Sequence, residues 1–286
     1  MTTVTIDPTT ADGRAGLSAI ITDPEAALIT FDYDGTLAPI VADPSAAVPH
    51  PGVVTALSDL APLVGTVAVI TGRPARVAVA LAGFAQQRGL EKLIVLGHYG
   101  MERWSAASGE LETAVPAPGL DLVRSELPGL LASLGNADAD VEDKGLSVAV
   151  HVRRLPDPPA AYAAIEPALR ELAERAGLLA EPGRFVVELR PPGMDKGAAL
   201  RGLMDEVRAA SVMFSGDDLG DLAAFDEVER RRRDGIPGLL VCSGSHEVTA
   251  LAERADLVVD GPAGVAALIG SLARTLSEGA ARPPGG

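Results

Sequence analysis

The sequence predicts an α/β protein, a parallel sheet with helices on both faces that is interrupted by an inserted α+β module. Three observations carry this. Short apolar runs of strand length alternate with segments of helical periodicity over residues 27–96, and the same rhythm resumes after residue 192. Between these stretches the order changes to helix, strand, strand, and that order occurs twice. The chain has 286 residues, enough for two domains at roughly 150 residues each. Alternation of this kind on one sheet is Rossmann-like.

Each element follows from its local pattern. Residues 1–24 have weak periodicity and end in Thr22-Asp23-Pro24, which predicts a frayed N-terminus. Strand 27–31 comes next, then helix 52–61, strand 64–70, helix 74–84 and strand 93–96. The inserted module begins with a helix over 120–134 and two strands, 138–142 and 146–152, joined by the turn Asp143-Lys144-Gly145. A helix over 160–175 and strands 177–180 and 185–189, joined across Pro182-Gly183, repeat the order. After Pro191-Pro192 the pattern predicts helix 195–209, strand 212–215, helix 219–230, strand 238–242, helix 245–254, strand 257–259 and a closing helix from Pro262. The tail 280–286 has linker composition and is also expected to fray.

Composition narrows the function. Apolar residues at 47% and charged residues at 22% exclude wholesale disorder. Twenty-four Lys and Arg against 39 Asp and Glu leave a net charge of −15, so nucleic acid and anionic membranes are poor partners. No apolar run approaches the roughly 18–20 residues of a membrane span. One cysteine, Cys242, cannot form an internal disulfide, and the four His build no zinc pattern. The chain is therefore expected in a reducing cytoplasm.

Four segments at strand ends carry chemistry. Phe31-Asp32-Tyr33-Asp34-Gly35-Thr36-Leu37 sets two carboxylates at the C-terminal end of the first strand, the edge where open α/β sheets bind ligands. Positions i and i+2 of a strand share a face, so both acids are expected to address one ligand. Alone, the segment also reads as a solvated Asp-Gly turn. Val69-Ile70-Thr71-Gly72-Arg73-Pro74 ends the next strand and is expected to open a helix with Pro74 at its first position, leaving N–H groups for phosphate and offering the Thr71 hydroxyl. A plain helix cap is the other reading.

Lys196, in Met194-Asp195-Lys196-Gly197, begins a helix where a cation opposes the dipole and calls for an anionic partner. An exposed lysine beside Asp195 is the alternative. Ser215-Gly216-Asp217-Asp218-Leu219-Gly220-Asp221 sets three acids around a glycine turn, a density that something cationic must neutralise. Oxygen donors without clustered His or Cys point to a hard ion, Mg²⁺. A helix start favours acids too, but accounts for only one or two of the three.

In this order, each at a strand end, the four segments resemble the motifs of the haloacid-dehalogenase-like (HAD) phosphatase superfamily, whose larger type of cap is inserted between the second and third. Gly97-His98-Tyr99-Gly100-Met101-Glu102, Glu142-Asp143-Lys144-Gly145 with His151-Val152-Arg153, and Val187-Glu188-Leu189-Arg190-Pro191 narrow the likeness to the trehalose-6-phosphate phosphatase family. It runs from about residue 27 to the last helix. One departure stands out: the family's fourth motif commonly continues with Thr-Asp-Glu after the paired acids, whereas Gly220-Asp221-Leu222 follows Leu219 here.

The resemblance implies a HAD-like core at 1–104 and 191–286 and a substrate-specificity cap at 105–190. It implies Mg²⁺-dependent hydrolysis of trehalose 6-phosphate to trehalose and phosphate through an aspartyl-phosphate. Asp32 is then the nucleophile and Asp34 the acid and base, while Thr71 and Lys196 neutralise the phosphoryl oxygens. Metal binding falls to Asp32, Asp34 through its carbonyl, and Asp217, with Asp218 and Asp221 in the same acidic cluster. Substrate contacts are implied for Gly35, Gly72, Arg73 and His98, and for the cap residues Glu142, Lys144 and Glu188. A lone His or Arg on a strand is more often satisfied structurally, which is the reading for His151, Arg153 and Arg190. The implied partner is a small-molecule sugar phosphate, with functional pairing to a trehalose-6-phosphate synthase. Two other readings stay open: a phosphatase of another sugar phosphate, such as sucrose 6-phosphate, glucosyl-3-phosphoglycerate or a pseudo-disaccharide phosphate, and a non-catalytic sugar-phosphate sensor or partner subunit of the matching synthase. A dehalogenase is disfavoured, because carbon–halogen cleavage needs no leaving-group acid and leaves Asp34 without a task.

Overall fold

The computed structural model describes residues 6–41, 43–244 and 249–280. The strands in chain order are β1 (Ala27–Phe31), β2 (Thr66–Ile70), β3 (Leu93–Gly97), β4 (Glu102–Ser105), β5 (Leu111–Thr113), β6 (Asp140–Asp143), β7 (Val148–His151), β8 (Leu179–Gly183), β9 (Val186–Arg190), β10 (Ser211–Gly216), β11 (Gly238–Ser243) and β12 (Leu257–Val259). The helices are α1 (Ala11–Thr22), α2 (Pro51–Leu60), α3 (Ala75–Ala82), α4 (Gly119–Ser133), α5 (Pro158–Ala176), α6 (Lys196–Val207), α7 (Leu222–Arg233), α8 (Thr249–Arg254) and α9 (Gly261–Ala280). The chain divides into two compact units, residues 1–112 with 195–286, and residues 113–194.

The first unit is built on an eight-stranded sheet in the order β12-β11-β10-β1-β2-β3-β4-β5. From β12 to β3 neighbouring strands run parallel, and β4 pairs antiparallel with β3. Side chains of β1 alternate between two cores. Ile29 and Phe31 join Ile20 of α1, Leu57 of α2, Ala78 of α3 and Leu272 of α9, whereas Leu28 joins Leu200 of α6, Phe225 of α7 and Leu251 of α8. Both faces are thus covered, as a parallel sheet requires. The strand order reverses beside β1, which places the ends of β1, β2 and β10 at the ligand-binding edge.

The second unit is a four-stranded antiparallel sheet, β6-β7-β9-β8. Helices α4 and α5 cover one face through Leu127, Leu131, Ile165 and Leu169, packed on Val150, Val187 and Leu189. The unit boundaries fall at 112/113 and 194/195, and β4 and β5, which extend the first sheet, carry the first unit past residue 104.

Two expectations are corrected. The segment before β1 forms helix α1 over residues expected to fray; Thr10 caps it, accepting from Gly13 N at 2.9 Å. Its anchor is the buried carboxylate of Asp256, which accepts from the Thr10 hydroxyl, the Arg232 guanidinium and, at 2.7 Å, Leu240 N. Pro74 is the cap of α3 and not its first residue, which is Ala75. Of the expected helix 245–254, the first four residues lie outside the described ones, as does the tail 281–286. Among the described residues no helix is long and apolar enough to cross a membrane.

Candidate active site

Strands β1 and β10 lie side by side with Phe31 opposite Ser215, and Asp32 N donates to Ser215 O at 2.8 Å. Asp32 and Asp217 therefore leave adjacent strand ends. Lys196 opens α6, whose cap Asp195 accepts from Ala198 N at 2.7 Å. Its Nζ sits 2.7 Å from Asp32 Oδ1 and 2.7 Å from Asp221 Oδ1. The second oxygen of Asp221 accepts from Asp217 N at 2.9 Å and Asp218 N at 3.1 Å, so this carboxylate aims the lysine and pins the turn. Asp32, Lys196, Asp217 and Asp221 are all buried.

One oxygen from each of Asp32, Asp217 and Asp221 lies within 4.8 Å of the others, a group that could hold a metal ion. Three acids face one ammonium. Burial raises the Asp32 carboxyl well above its ordinary range, Lys196 opposes this, and Asp221 and Asp217 add to it. Burial, with Asp221 and Asp218, pushes Asp217 up to about 7. For Lys196, burial disfavours the charge, but Asp221 and Asp32 outweigh it and hold the ammonium protonated. An oxygen-only donor set with excess negative charge fits a hard divalent cation. Asp218 lies apart: it is exposed, and its carboxylate caps the turn at Gly220 N, 2.9 Å away.

The turn after β1 needs glycine at position 35. Its φ is +75°, and a β-carbon there would collide with the Asp217 carboxylate. Ser243 Oγ, from β11, holds Gly35 O at 2.7 Å, and Thr36 Oγ1 reaches Asp217 Oδ1 at 3.4 Å. Because β1 ends at Phe31, the expected shared strand face does not arise. The Asp34 side chain is 40% exposed, and both its oxygens are paired with Arg73.

Thr71, buried at the end of β2, accepts from Arg73 N at 3.1 Å. His98 and Tyr99 are left-handed, with φ of 47° and 55°, and such backbone costs a non-glycine residue roughly 1–2 kcal/mol. The bend lets His98 N donate to Arg73 O and Tyr99 N to Thr71 O, each at 3.0 Å. His98 thus clamps the Thr71–Gly72–Arg73 loop through its backbone while its ring is buried. Gly72 has no room for a β-carbon beneath the Tyr99 ring. At the start of α3, Ala75 N is already taken by Glu102 Oε2 at 2.6 Å, so this N–H is not free for phosphate as the sequence had suggested.

In the second unit, Glu142, Ala149, Glu188 and Glu181 stand opposite one another across β6, β7, β9 and β8, so they share the face away from the helices. Lys144 Nζ lies 3.1 Å from Glu188 Oε1, and Ser147 Oγ donates to the same oxygen at 2.6 Å. His151 Nε2 pairs with Glu142 Oε2 at 3.1 Å and Arg190 with Glu181 at 2.9 Å. The structure thus groups Asp32, Lys196, Asp217 and Asp221, and separately Lys144 with Glu188. The sequence assigns no contact to Tyr33, Glu102 or Ser243, because each reaches a backbone group outside its own motif, at Ala47 O, Ala75 N and Gly35 O respectively.

The family model described as trehalose-phosphatase matches residues 30–257. The curated trehalose-phosphate phosphatase of Mycobacterium marinum is 34% identical over 257 residues, covering 87% of this chain and 62% of that protein. The chain thus spans about 62% of the length of that relative. Among solved structures, the C-terminal domain of C. albicans trehalose-6-phosphate phosphatase aligns with a TM-score of 0.69 at 20% identity, over 94% of this chain and 98% of that one. A haloacid dehalogenase-like hydrolase from Bacteroides thetaiotaomicron aligns with a TM-score of 0.64 at 16% identity, over 85% and 98%. At these identities the two structures show the fold alone. Because the family match begins inside β1 and ends in β12, and so takes in all four strand-end motifs, this chain belongs to the trehalose-phosphatase family.

Proposed function

We propose that this chain is a phosphomonoesterase that hydrolyses trehalose 6-phosphate to trehalose and phosphate, with Mg²⁺ as its metal. The observation that carries the reading is the buried floor in which Lys196 Nζ bridges Asp32 and Asp221 beside Asp217. Such a floor supports a carboxylate nucleophile set against a multiply charged anion.

In this reading Asp32 Oδ attacks phosphorus. The new Asp32–phosphorus ester bond forms as the bond to the sugar oxygen breaks, and protonated Asp34 gives its proton to that departing oxygen. Asp34, now a carboxylate, takes a proton from the water that hydrolyses the acyl-phosphate, which frees phosphate and restores Asp32. Lys196 neutralises phosphoryl oxygens while Asp221 keeps it in place. Thr71 is the hydroxyl donor at the same edge. Mg²⁺, held by Asp32, Asp217 and the Asp34 carbonyl, would supply further positive charge to the phosphoryl group.

Sugar recognition is assigned to the polar sheet face of the second unit. Carboxylates accept from neighbouring hydroxyls, and Glu142, Lys144 and Glu188 lie together there. Gly35, Gly72 and His98 shape the loops of the first unit and are assigned no side-chain contact to substrate. The reading places a trehalose-6-phosphate synthase upstream as the source of substrate. It places the reaction in the cytoplasm, where the free, buried Cys242 stays a thiol.

The test is phosphate release, with and without EDTA, from trehalose 6-phosphate, sucrose 6-phosphate, glucosyl-3-phosphoglycerate, glucose 6-phosphate and p-nitrophenyl phosphate. Metal-dependent release with preference for trehalose 6-phosphate is expected. Preference for another sugar phosphate would keep the chemistry and replace the substrate. Silence on every compound would overturn the reading.

A further inference from the structure

Arg73 belongs to the residues that the family resemblance gives to the substrate, yet its guanidinium is committed within the protein. Nε and Nη2 meet Asp34 Oδ2 and Oδ1, each at 2.7 Å, and Nη1 donates to Pro44 O at 2.8 Å. The guanidinium carbon stands 5.5 Å from the centroid of the Tyr33 ring, whose hydroxyl donates to Ala47 O at 2.9 Å. The backbone is fixed as well: Arg73 N donates to Thr71 Oγ1 at 3.1 Å, and Arg73 O accepts from His98 N at 3.0 Å. The side chain is 14% exposed. A planar fork presented to a carboxylate cannot present the same edge to phosphate.

We infer that Arg73 is a positioning residue for Asp34 and not a phosphate ligand. The inference rests on the reading of Asp34 as the proton donor and acceptor. The fork uses one lone pair on each Asp34 oxygen and leaves the others for a proton. An aspartate side chain that is 40% exposed has several rotamers open to it, and the bidentate pair holds one of them. The anchors at Tyr33, Pro44 and His98 come from three separate segments, so the guanidinium plane is set by the fold and Asp34 follows it.

This assignment separates from phosphate binding by leaving group. A sugar alkoxide needs a proton as it departs, whereas p-nitrophenolate leaves without one. Because kcat/KM covers only the steps through departure of the leaving group, it isolates the donor role of Asp34. Arg73→Ala is expected to lower kcat/KM for trehalose 6-phosphate by roughly 100-fold, within the range of general-acid catalysis, while p-nitrophenyl phosphate is almost unaffected. Arg73→Lys keeps the positive charge and loses the fork, so the same asymmetry is expected, and it serves should the alanine variant fold poorly. Adding Asp34→Asn to either variant should cost nothing more. Equal losses on both compounds, or restoration of the sugar substrate by lysine, would overturn the assignment. Asp34→Asn alone is the control: without asymmetry there, the reading of Asp34 fails instead.

Discussion

Asp32 and Asp34 are two residues apart and occupy opposite surroundings. Asp32 is buried against an ammonium and two further carboxylates, whereas the Asp34 carboxylate reaches solvent and a guanidinium. A sequence pattern pairs them, and only the turn after Phe31 separates them. The consequence at this scale concerns Asp32 as the proposed nucleophile. Asp32→Asn keeps the shape of the side chain and its place beside Lys196 but removes the attacking oxygen's charge. Turnover of trehalose 6-phosphate is expected to fall by roughly 1,000-fold or more. Its thermal midpoint should match or exceed that of the parent, because a buried acid whose charge is disfavoured has been made neutral. Phosphate release and a melting curve on the same preparation check both halves, and full activity in the variant would remove Asp32 from its role.

Elements hold these residues through contacts that local patterns do not display. The parallel strands were legible because each is a short apolar run bounded by turn residues; β1 was placed to the residue. Helix α1 was not, because its tie runs from Thr10 to Asp256, 246 positions away. Strands β4 and β5 are not legible because they are three or four residues long and mostly polar, and β5 closes the sheet at its edge. Likewise the acids of the fourth motif were legible as a group, but which of them turns inward was not: Asp221 follows the backbone N–H groups and Asp218 the solvent. Helix α6, which carries Lys196, is joined to α7 by another such contact. Glu227, 1% exposed, accepts from Arg230 and Arg231 of its own helix and from Arg201 of α6 at 3.0 Å. Burial alone would raise its carboxyl, but the three arginines hold it down to about 2, against an ordinary value of 4.5. A depressed carboxylate stabilises the fold fully above its unfolded value and loses that contribution as pH falls toward the folded one. Glu227→Gln is therefore expected to cost on the order of 2 kcal/mol near neutrality. The gap in melting temperature between parent and variant should hold above pH 5 and close between about pH 4.5 and 2. A gap independent of pH would show that charge is not what joins the helices.

At the scale of the whole molecule, the proposed function puts chemistry in one unit and selectivity in the other, and the two can be perturbed apart. Lys144→Ala, in the second unit, leaves Glu188 with Ser147 as its partner. The expected result is a KM for trehalose 6-phosphate raised about tenfold, as for one lost charged contact, with p-nitrophenyl phosphate unchanged. Equal loss on both would move Lys144 out of sugar recognition. On the same proposal the first unit answers instead to metal. A net charge of −15 looks hostile to an anionic substrate, but what matters is the local set of three buried acids and one lysine. Without a divalent cation these acids repel one another, so metal-free protein carries a cost that binding relieves. Magnesium at about 100 times its dissociation constant should stabilise the parent by about 2.7 kcal/mol through mass action alone. Asp217→Asn removes one donor and one charge together. Its metal-free melting temperature should rise above that of the parent, and its response to magnesium should vanish. A variant that melts lower without metal and still responds to magnesium would mean that Asp217 holds the turn and not the ion.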